Sequence, residues 1–244
     1  MKAPLLQAPY LAPMPSNRIT LLLIGLVIGL ASCITIEENY TFGKNGSGTM
    51  TYVVDMSEMG NMLASLGGDE QKDGGGDELG NLDMSEHAAA LKAIPGIGKV
   101  KMDKRKKWVQ KLSFSFNDVA ALNRALNQLM PDSTGTSHEF FHWDGGTLVR
   151  TSNRYAYDIS STMANEAAAD DDGGEGEDAG FDMSSMLSSM KYKYSFKFKK
   201  PVASIENGVM TREEGSTKEV KLSTDWGVLA KDPRALDVRI SLAQ

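Results

Sequence analysis

Two histidines and a glutamate in the segment His138-Glu139-Phe140-Phe141-His142 have types and spacing that could bind a metal ion. By residue type the segment is HExxH, in which two histidines bind zinc and the glutamate acts as a general base. On a helix, side chains four residues apart share one face, so both histidines would reach one ion. The chemistry that this pattern would support is zinc-dependent peptide hydrolysis.

The flanking sequence favours a strand for this motif. Residues 131–137 have a loop composition, and residues 143–146, WDGG, are typical of a turn. Strand residues four apart lie about 13 Å from each other, too far to share one ion. We therefore interpret residues 138–142 as a surface strand with histidines at a chance spacing. The alternative is a zinc peptidase with His138, His142 and a third ligand, Glu166, since Asn165–Asp170 resembles the third-ligand motif of thermolysin-like peptidases.

Methionines recur at helical spacing in two groups, Met56, Met59 and Met62, and Met183, Met186 and Met190. Thioethers bind Cu(I), so a copper site is one interpretation. The same spacing gives the apolar stripe of an amphipathic helix, and we favour soft packing or a docking face. The sequence shows no nucleophile elbow and no phosphate-binding loop. We therefore predict a protein that is not an enzyme and that carries no cofactor.

One apolar run, residues 19–30, is much shorter than the roughly 20 residues of a membrane-spanning helix. Its length is typical of the apolar region of a secretion signal, and Arg18 supplies the preceding positive charge. Met14 could be the true start of translation in place of Met1. The run ends at Cys33, the only cysteine of the chain, so disulfides and thiolate zinc sites are excluded if Cys33 is acylated.

The segment Leu30-Ala31-Ser32-Cys33 matches the lipobox of bacterial lipoproteins. This resemblance implies diacylglyceryl transfer to the Cys33 thiol and cleavage after Ser32, with residues 1–32 as the signal peptide. A transmembrane anchor is the alternative. Ile34, in place of the Asp that retains enterobacterial lipoproteins in the inner membrane, implies the outer membrane facing the periplasm. The acidic Glu37 and Glu38 leave surface exposure open.

The net charge is −6, from 26 basic and 32 acidic residues. Removing Lys2 and Arg18 with the leader leaves 24 basic residues and a net charge of −8, which argues against a nucleic-acid partner. We predict one domain over residues 33–244. Within it, the acidic, glycine-rich stretches 67–80 and 170–180 are predicted to be disordered, mobile loops.

Alternation of apolar and polar residues predicts antiparallel hairpins. The predicted strand pairs are 34–42 with 50–56, joined by Asn45-Gly46, 100–102 with 109–116, and 140–141 with 148–149. Single strands are predicted at 192–198 and 236–242. The apolar residues predicted to share one face of the first strand are Ile34, Ile36, Tyr40 and Phe42.

Helices are predicted between these strands. The predicted starts are Asp55-Met56-Ser57, Asp83-Met84-Ser85, Asn117 and Asp182-Met183-Ser184, where short polar side chains can cap free amides. Hairpins with interspersed amphipathic helices predict an α+β fold with a mostly antiparallel sheet.

Two basic patches stand out in this acidic chain. They comprise Lys99, Lys101, Lys104, Arg105, Lys106, Lys107 and Lys111, and the lysines within 191–199. At a membrane such patches could meet anionic head groups or glycans. The interpretation that we favour is a solvated sheet face.

The layout resembles LppM-type lipoproteins. The points of likeness are the lipobox, a strand, the turn Gly46–Thr49 into a second strand, a helix, the strand-to-helix junction Phe114–Asp118, and a strand-rich C-terminal half. This resemblance implies lipid or glycolipid handling and identifies no binding residue.

The sequence as a whole predicts a membrane-anchored, non-enzymatic binding module for a lipid, glycan or envelope protein. Such a module is expected to have a concave apolar face between the sheet and the methionine-rich helices. The alternatives are a structural or assembly lipoprotein with a filled core, and the zinc metallopeptidase.

Overall fold

The computed structural model describes residues 34–66, 84–131, 134–151, 154–170 and 183–244. The side chains of 62–66, 163–170 and 183–184 are not described. All of these residues belong to one compact unit that spans Ser32–Gln244.

The strands are β1 (Thr35–Phe42), β2 (Gly48–Asp55), β3 (Ile97–Asp103), β4 (Val109–Phe116), β5 (Phe141–Asp144), β6 (Thr147–Arg150), β7 (Lys191–Lys197), β8 (Val202–Asn207), β9 (Thr211–Glu213), β10 (Glu219–Asp225) and β11 (Val238–Leu242). The helices are α1 (Ser57–Leu66), α2 (Ser85–Leu91), α3 (Val119–Leu129), α4 (Arg154–Asp170), α5 (Met183–Ser189) and α6 (Trp226–Leu229). None of the described helices is long and apolar enough to cross a membrane.

Two β-sheets form the framework. The larger has the strand order β3-β4-β2-β1-β7-β10-β9, and the smaller has the order β5-β6-β11-β8. Neighbouring strands are antiparallel except for β1 and β7, which pair in parallel. The predicted α+β fold with a mostly antiparallel sheet is therefore confirmed.

The three predicted hairpins are all present, as β1–β2, β3–β4 and β5–β6. The predicted turn at Asn45-Gly46 is also confirmed, since Gly46 has φ +79°, a conformation that glycine adopts without strain. The predicted cap Asn117 is wrong by one residue. Asp118 is the N-cap of α3, and its carboxylate accepts a hydrogen bond from the Ala121 amide at 2.7 Å.

Several elements were not predicted. Strands β8, β9 and β10 were missed, and so was helix α4, which includes both Glu166 and Asp170. The predicted loop 170–180 is therefore wrong at its first residue. Residues 171–180 and the predicted loop 67–80 lie outside the described residues.

The core lies between the two sheets and under the helices. The inner face of the larger sheet is aromatic and aliphatic, with Tyr40, Phe42, Phe114 and Phe196 almost fully buried. Methionines of the described helices and flanking segments also fill this core, including Met56 and Met190. These side chains pack inside the domain.

Candidate functional site

A carboxylate lies in the middle of the buried face of β1. Glu38 is on the same side of the strand as Ile36 and Tyr40, and its side chain is 0% exposed. A charged group here has lost its hydration and must be compensated by partners.

The compensating charge comes from the other sheet. Arg150, the last residue of β6, is 1% exposed, and its Nη2 lies 3.2 Å from Oε2 of Glu38 and 3.4 Å from Oε1. Since β1 belongs to the larger sheet and β6 to the smaller one, this ion pair joins the two sheets across the core.

Tyrosines surround the Glu38 carboxylate on three neighbouring strands. The hydroxyls of Tyr40 and Tyr192 each donate a hydrogen bond to it. In the sheet register Glu38 lies directly opposite Tyr52 on β2 and Tyr194 on β7. The carboxylate thus accepts hydrogen bonds from two phenols and a guanidinium, which compensate for its lost hydration.

Aromatic rings also enclose the Arg150 guanidinium. Its Cζ lies 5.0 Å from the ring centroid of Phe140, 4.9 Å from that of Phe141 and 5.5 Å from that of Tyr194. Such cation–π contacts stabilise a desolvated cation. Its Nη1 donates to the Thr151 carbonyl at 3.2 Å, while Nε has no acceptor among the described residues.

The pKa values of this cluster reflect burial and mutual charge. Burial by itself lowers the pKa of Arg150, but the charge interactions with Tyr194, Glu38 and the other tyrosines raise it by more. The pKa of Arg150 therefore lies above its ordinary value, and the guanidinium stays charged. Burial, reinforced by Glu38, raises the pKa values of Tyr40, Tyr52 and Tyr192 well above their ordinary value. The three tyrosines are therefore held neutral, and Tyr40 and Tyr192 act as hydrogen-bond donors to Glu38.

Alkaline pH is expected to unfold the protein through these tyrosines. Their pKa values are raised in the folded state, so their contribution is complete below the unfolded tyrosine pKa of about 10 and is lost above it. Each tyrosine that ionises only on unfolding lowers the free energy of unfolding by about 1.4 kcal/mol per pH unit in that range. Tyrosinate absorbance during a pH titration checks this: it should rise steeply together with loss of circular dichroism. A smooth rise near pH 10 without unfolding would contradict it.

The HExxH segment does not form a helix. His142 lies in β5, whereas His138 lies before that strand in residues with neither helix nor strand structure, so the predicted strand is confirmed only for Phe141 and His142. The interpretation as a surface strand is wrong for its centre, because Phe140 and Phe141 are buried in the core. The described residues contain no group of three or more His, Cys, Asp or Glu side chains that could hold a metal ion.

Two asparagines of α3 hold this segment in place. The Asn127 side chain accepts from the His138 amide at 2.7 Å and donates to its carbonyl at 2.8 Å. One turn earlier, the Asn123 side chain makes the same two bonds with the backbone of Phe141, each at 2.8 Å. These bonds tie the segment to α3 and help to hold the two phenylalanines against the Arg150 guanidinium.

The remaining predicted site residues either lie outside the described part of the chain or pack in or against the core. Cys33 lies outside the described residues, as do the side chains of Glu166, Met62 and Met183. Met56 and Met190 are buried core residues, and Met59 and Met186 pack against the core.

The fold and the site define an α+β domain in which two sheets pack across a buried charge cluster. No protein-family model matches the chain, and no curated protein matches it in a sequence comparison. Among solved structures, the chain is weakly similar to the NMR structure of the folded domain of Mycobacterium tuberculosis LppM. The TM-score is 0.40 and the identity 9%, over 88% of this chain and 92% of that one.

Proposed function

We propose that this protein is a bacterial lipoprotein, attached to the cell envelope through a lipid on Cys33, whose domain is a non-enzymatic binding module. The observation that carries the proposal is the position of β1. This strand begins at Thr35, so a single residue separates it from Cys33. Every described strand and helix follows Cys33, and cleavage after Ser32 would remove none of them.

A polar partner fits the described surface best. The outer face of the larger sheet carries threonine, serine, asparagine, lysine and glutamate, as in Glu37, Asn39 and Lys193, which are half-buried. Val209 is the one strongly exposed large hydrophobic side chain among the described residues. We therefore expect the ligand to be a glycan, a lipid head group or a polar protein surface.

A structural or assembly lipoprotein without a small ligand is the second candidate. The observation that favours it is the packing of Met56, Met84 and Met190 into the core, where a lipid-binding module would use such side chains to line a cavity.

Replacing Cys33 by Ala is expected to abolish lipidation completely, because the thiol is the acceptor. The full chain would be expressed in a diderm bacterium with an alkyne-tagged fatty acid. The wild-type protein should carry the label, have the mass of a chain starting at Cys33 plus lipid, and partition with membranes. Cys33→Ala should be unlabelled and keep residues 1–32. As the matched control, Ser32→Ala keeps a small residue before the cysteine and should be lipidated normally. Label or cleavage in Cys33→Ala would overturn the anchor.

Native mass spectrometry of the mature protein separates the two candidates. A bound lipid or glycan mass would support the binding module and identify the ligand class. A clean unliganded mass would favour the structural role.

A further inference from the structure

The start of β1, one residue after Cys33, and a basic turn lie at the same end of the larger sheet. In the register, Thr35 at the start of β1 pairs with Asp55, and Asp55 pairs with Val109 at the start of β4. The β3–β4 turn, residues 104–108, directly precedes Val109. Because β4 is two strands from β1, the turn lies about 10 Å along the sheet from the first residues after Cys33.

This turn presents net positive charge. Lys104, Arg105, Lys106 and Lys107 are all exposed. Arg105 pairs with the adjacent Asp103 at 2.6 Å, and Lys104 Nζ donates to Ser85 Oγ at 2.8 Å, so Lys106 and Lys107 add positive charge beyond that ion pair.

Two other acids at this end of the sheet serve as helix caps. The Asp55 carboxylate accepts from the Ser57 amide at 2.9 Å, and the Asp225 carboxylate accepts from the Val228 amide at 3.0 Å. A further lysine, Lys191 of β7, pairs with Thr35 itself. The positive charge of the described residues at this end of the sheet is therefore concentrated mainly in the β3–β4 turn, in a protein whose overall charge is negative.

The turn is held in a fixed shape by α1. Trp108 has φ +65°, and its carbonyl accepts a hydrogen bond from the Met56 amide at 2.9 Å. Its indole lies against Gly60, where any Cβ would come within 2.4 Å of the ring. Lys107 Nζ stands 5.2 Å from the indole centroid. The cations are therefore displayed by a rigid support, so little conformational entropy is lost when they meet a surface.

We propose that the basic turn, residues 104–107, docks onto the anionic lipid head groups of the membrane that holds the Cys33 lipid. The inference rests on the proposed anchor, which keeps the turn within reach of the head groups. Lipid chains and a basic patch act as two membrane signals, and each lysine near an anionic surface contributes to the attraction. Docking would place this end of the sheet on the membrane and leave the polar outer face of the sheet open to a ligand.

Trypsin cleavage of the mature, lipidated protein tests this docking. The protein would be added to preformed vesicles of phosphatidylcholine, or of phosphatidylcholine and phosphatidylglycerol in equal parts, and cleavage after Lys104 and Arg105 followed by mass spectrometry. Cleavage should be slowed on the anionic vesicles and should recover at high salt, because salt screens exposed charges. The double variant Lys106→Gln/Lys107→Gln retains both scored sites, and its docking equilibrium should fall about 30-fold.

The matched control is Lys199→Gln/Lys200→Gln. Both lysines are exposed, and they follow the end of β7, which is parallel to β1, so they lie at the opposite end of the sheet. This variant should be protected like the wild type. Equal cleavage on both vesicles by a protein whose mass includes the lipid would overturn docking and leave the anchor standing. A mass without lipid would overturn the anchor and the docking with it.

Discussion

Replacing Glu38 by Ala is expected to lower the free energy of unfolding by about 3–5 kcal/mol, because it leaves the Arg150 guanidinium buried without a counter-ion. Tyr40 and Tyr192 also lose their acceptor in this variant. Urea unfolding of the mature protein, followed by circular dichroism, measures the change. The loss should be far larger than the median for exposed ion pairs, about 0–1 kcal/mol.

The double variant Glu38→Leu/Arg150→Met tests the cause. Replacing both charges by apolar groups of similar size removes the unpaired cation, so much of the stability should return. Asp158→Ala is the matched control, since it breaks an exposed pair with Arg154 at 3.3 Å and should cost about 0.5 kcal/mol or less. A Glu38→Ala protein within about 1 kcal/mol of the wild type would show that the pair is not what joins the sheets.

Several of the strands that the sequence predicted have a strong period of two. In β7, Tyr192, Tyr194 and Phe196 alternate with polar residues, and the pattern alone gives both the strand and its inner face. Strand β10 has only Val220 and Leu222 on its inner face, followed by Thr224, so the apolar signal is too short to separate it from a loop.

The parallel pairing of β1 with β7 has no local signal, because the two strands are more than 140 residues apart in the chain. Helix α4 was missed for a different reason. Its sequence, RYAYDISSTMANEAAAD, spaces Tyr155, Ile159 and Met163 as on one helical face, but small and polar residues make up most of the segment, so the apolar signal is weak.

The buried charge cluster was missed because a glutamate in a strand is usually solvated. The signal was nevertheless present: Glu38 falls between Ile36 and Tyr40 in the alternation, and the pleat places all three on one face. Its partner Arg150 is 112 residues away in the chain. An arginine that directly follows an apolar pair such as Leu148-Val149 predicts an exposed residue at the end of a strand. Only the packing of the two sheets brings these charges together.

The HExxH segment also contributes to the packing of the two sheets, and we assign this structural role to its aromatic residues. Phe141 is fully buried, and its ring centroid lies 4.9 Å from that of Tyr40 and 6.3 Å from that of Phe196, both on the larger sheet. The same ring contacts the Arg150 guanidinium. His142, the next residue, points to the other side of β5 and is only half-buried.

Phe141→Ala is therefore expected to lower the free energy of unfolding by about 3–5 kcal/mol, from lost burial and the cavity that it leaves. His142→Ala should cost about 1 kcal/mol or less, since it removes no core contact. Urea unfolding of both variants, with and without added zinc, distinguishes this structural role from metal chemistry. A zinc site would give a different result. Zinc would stabilise the wild type by mass action, and His142→Ala would abolish that stabilisation. A zinc-dependent gain in stability that requires both His138 and His142 would therefore contradict the strand geometry and restore the peptidase hypothesis.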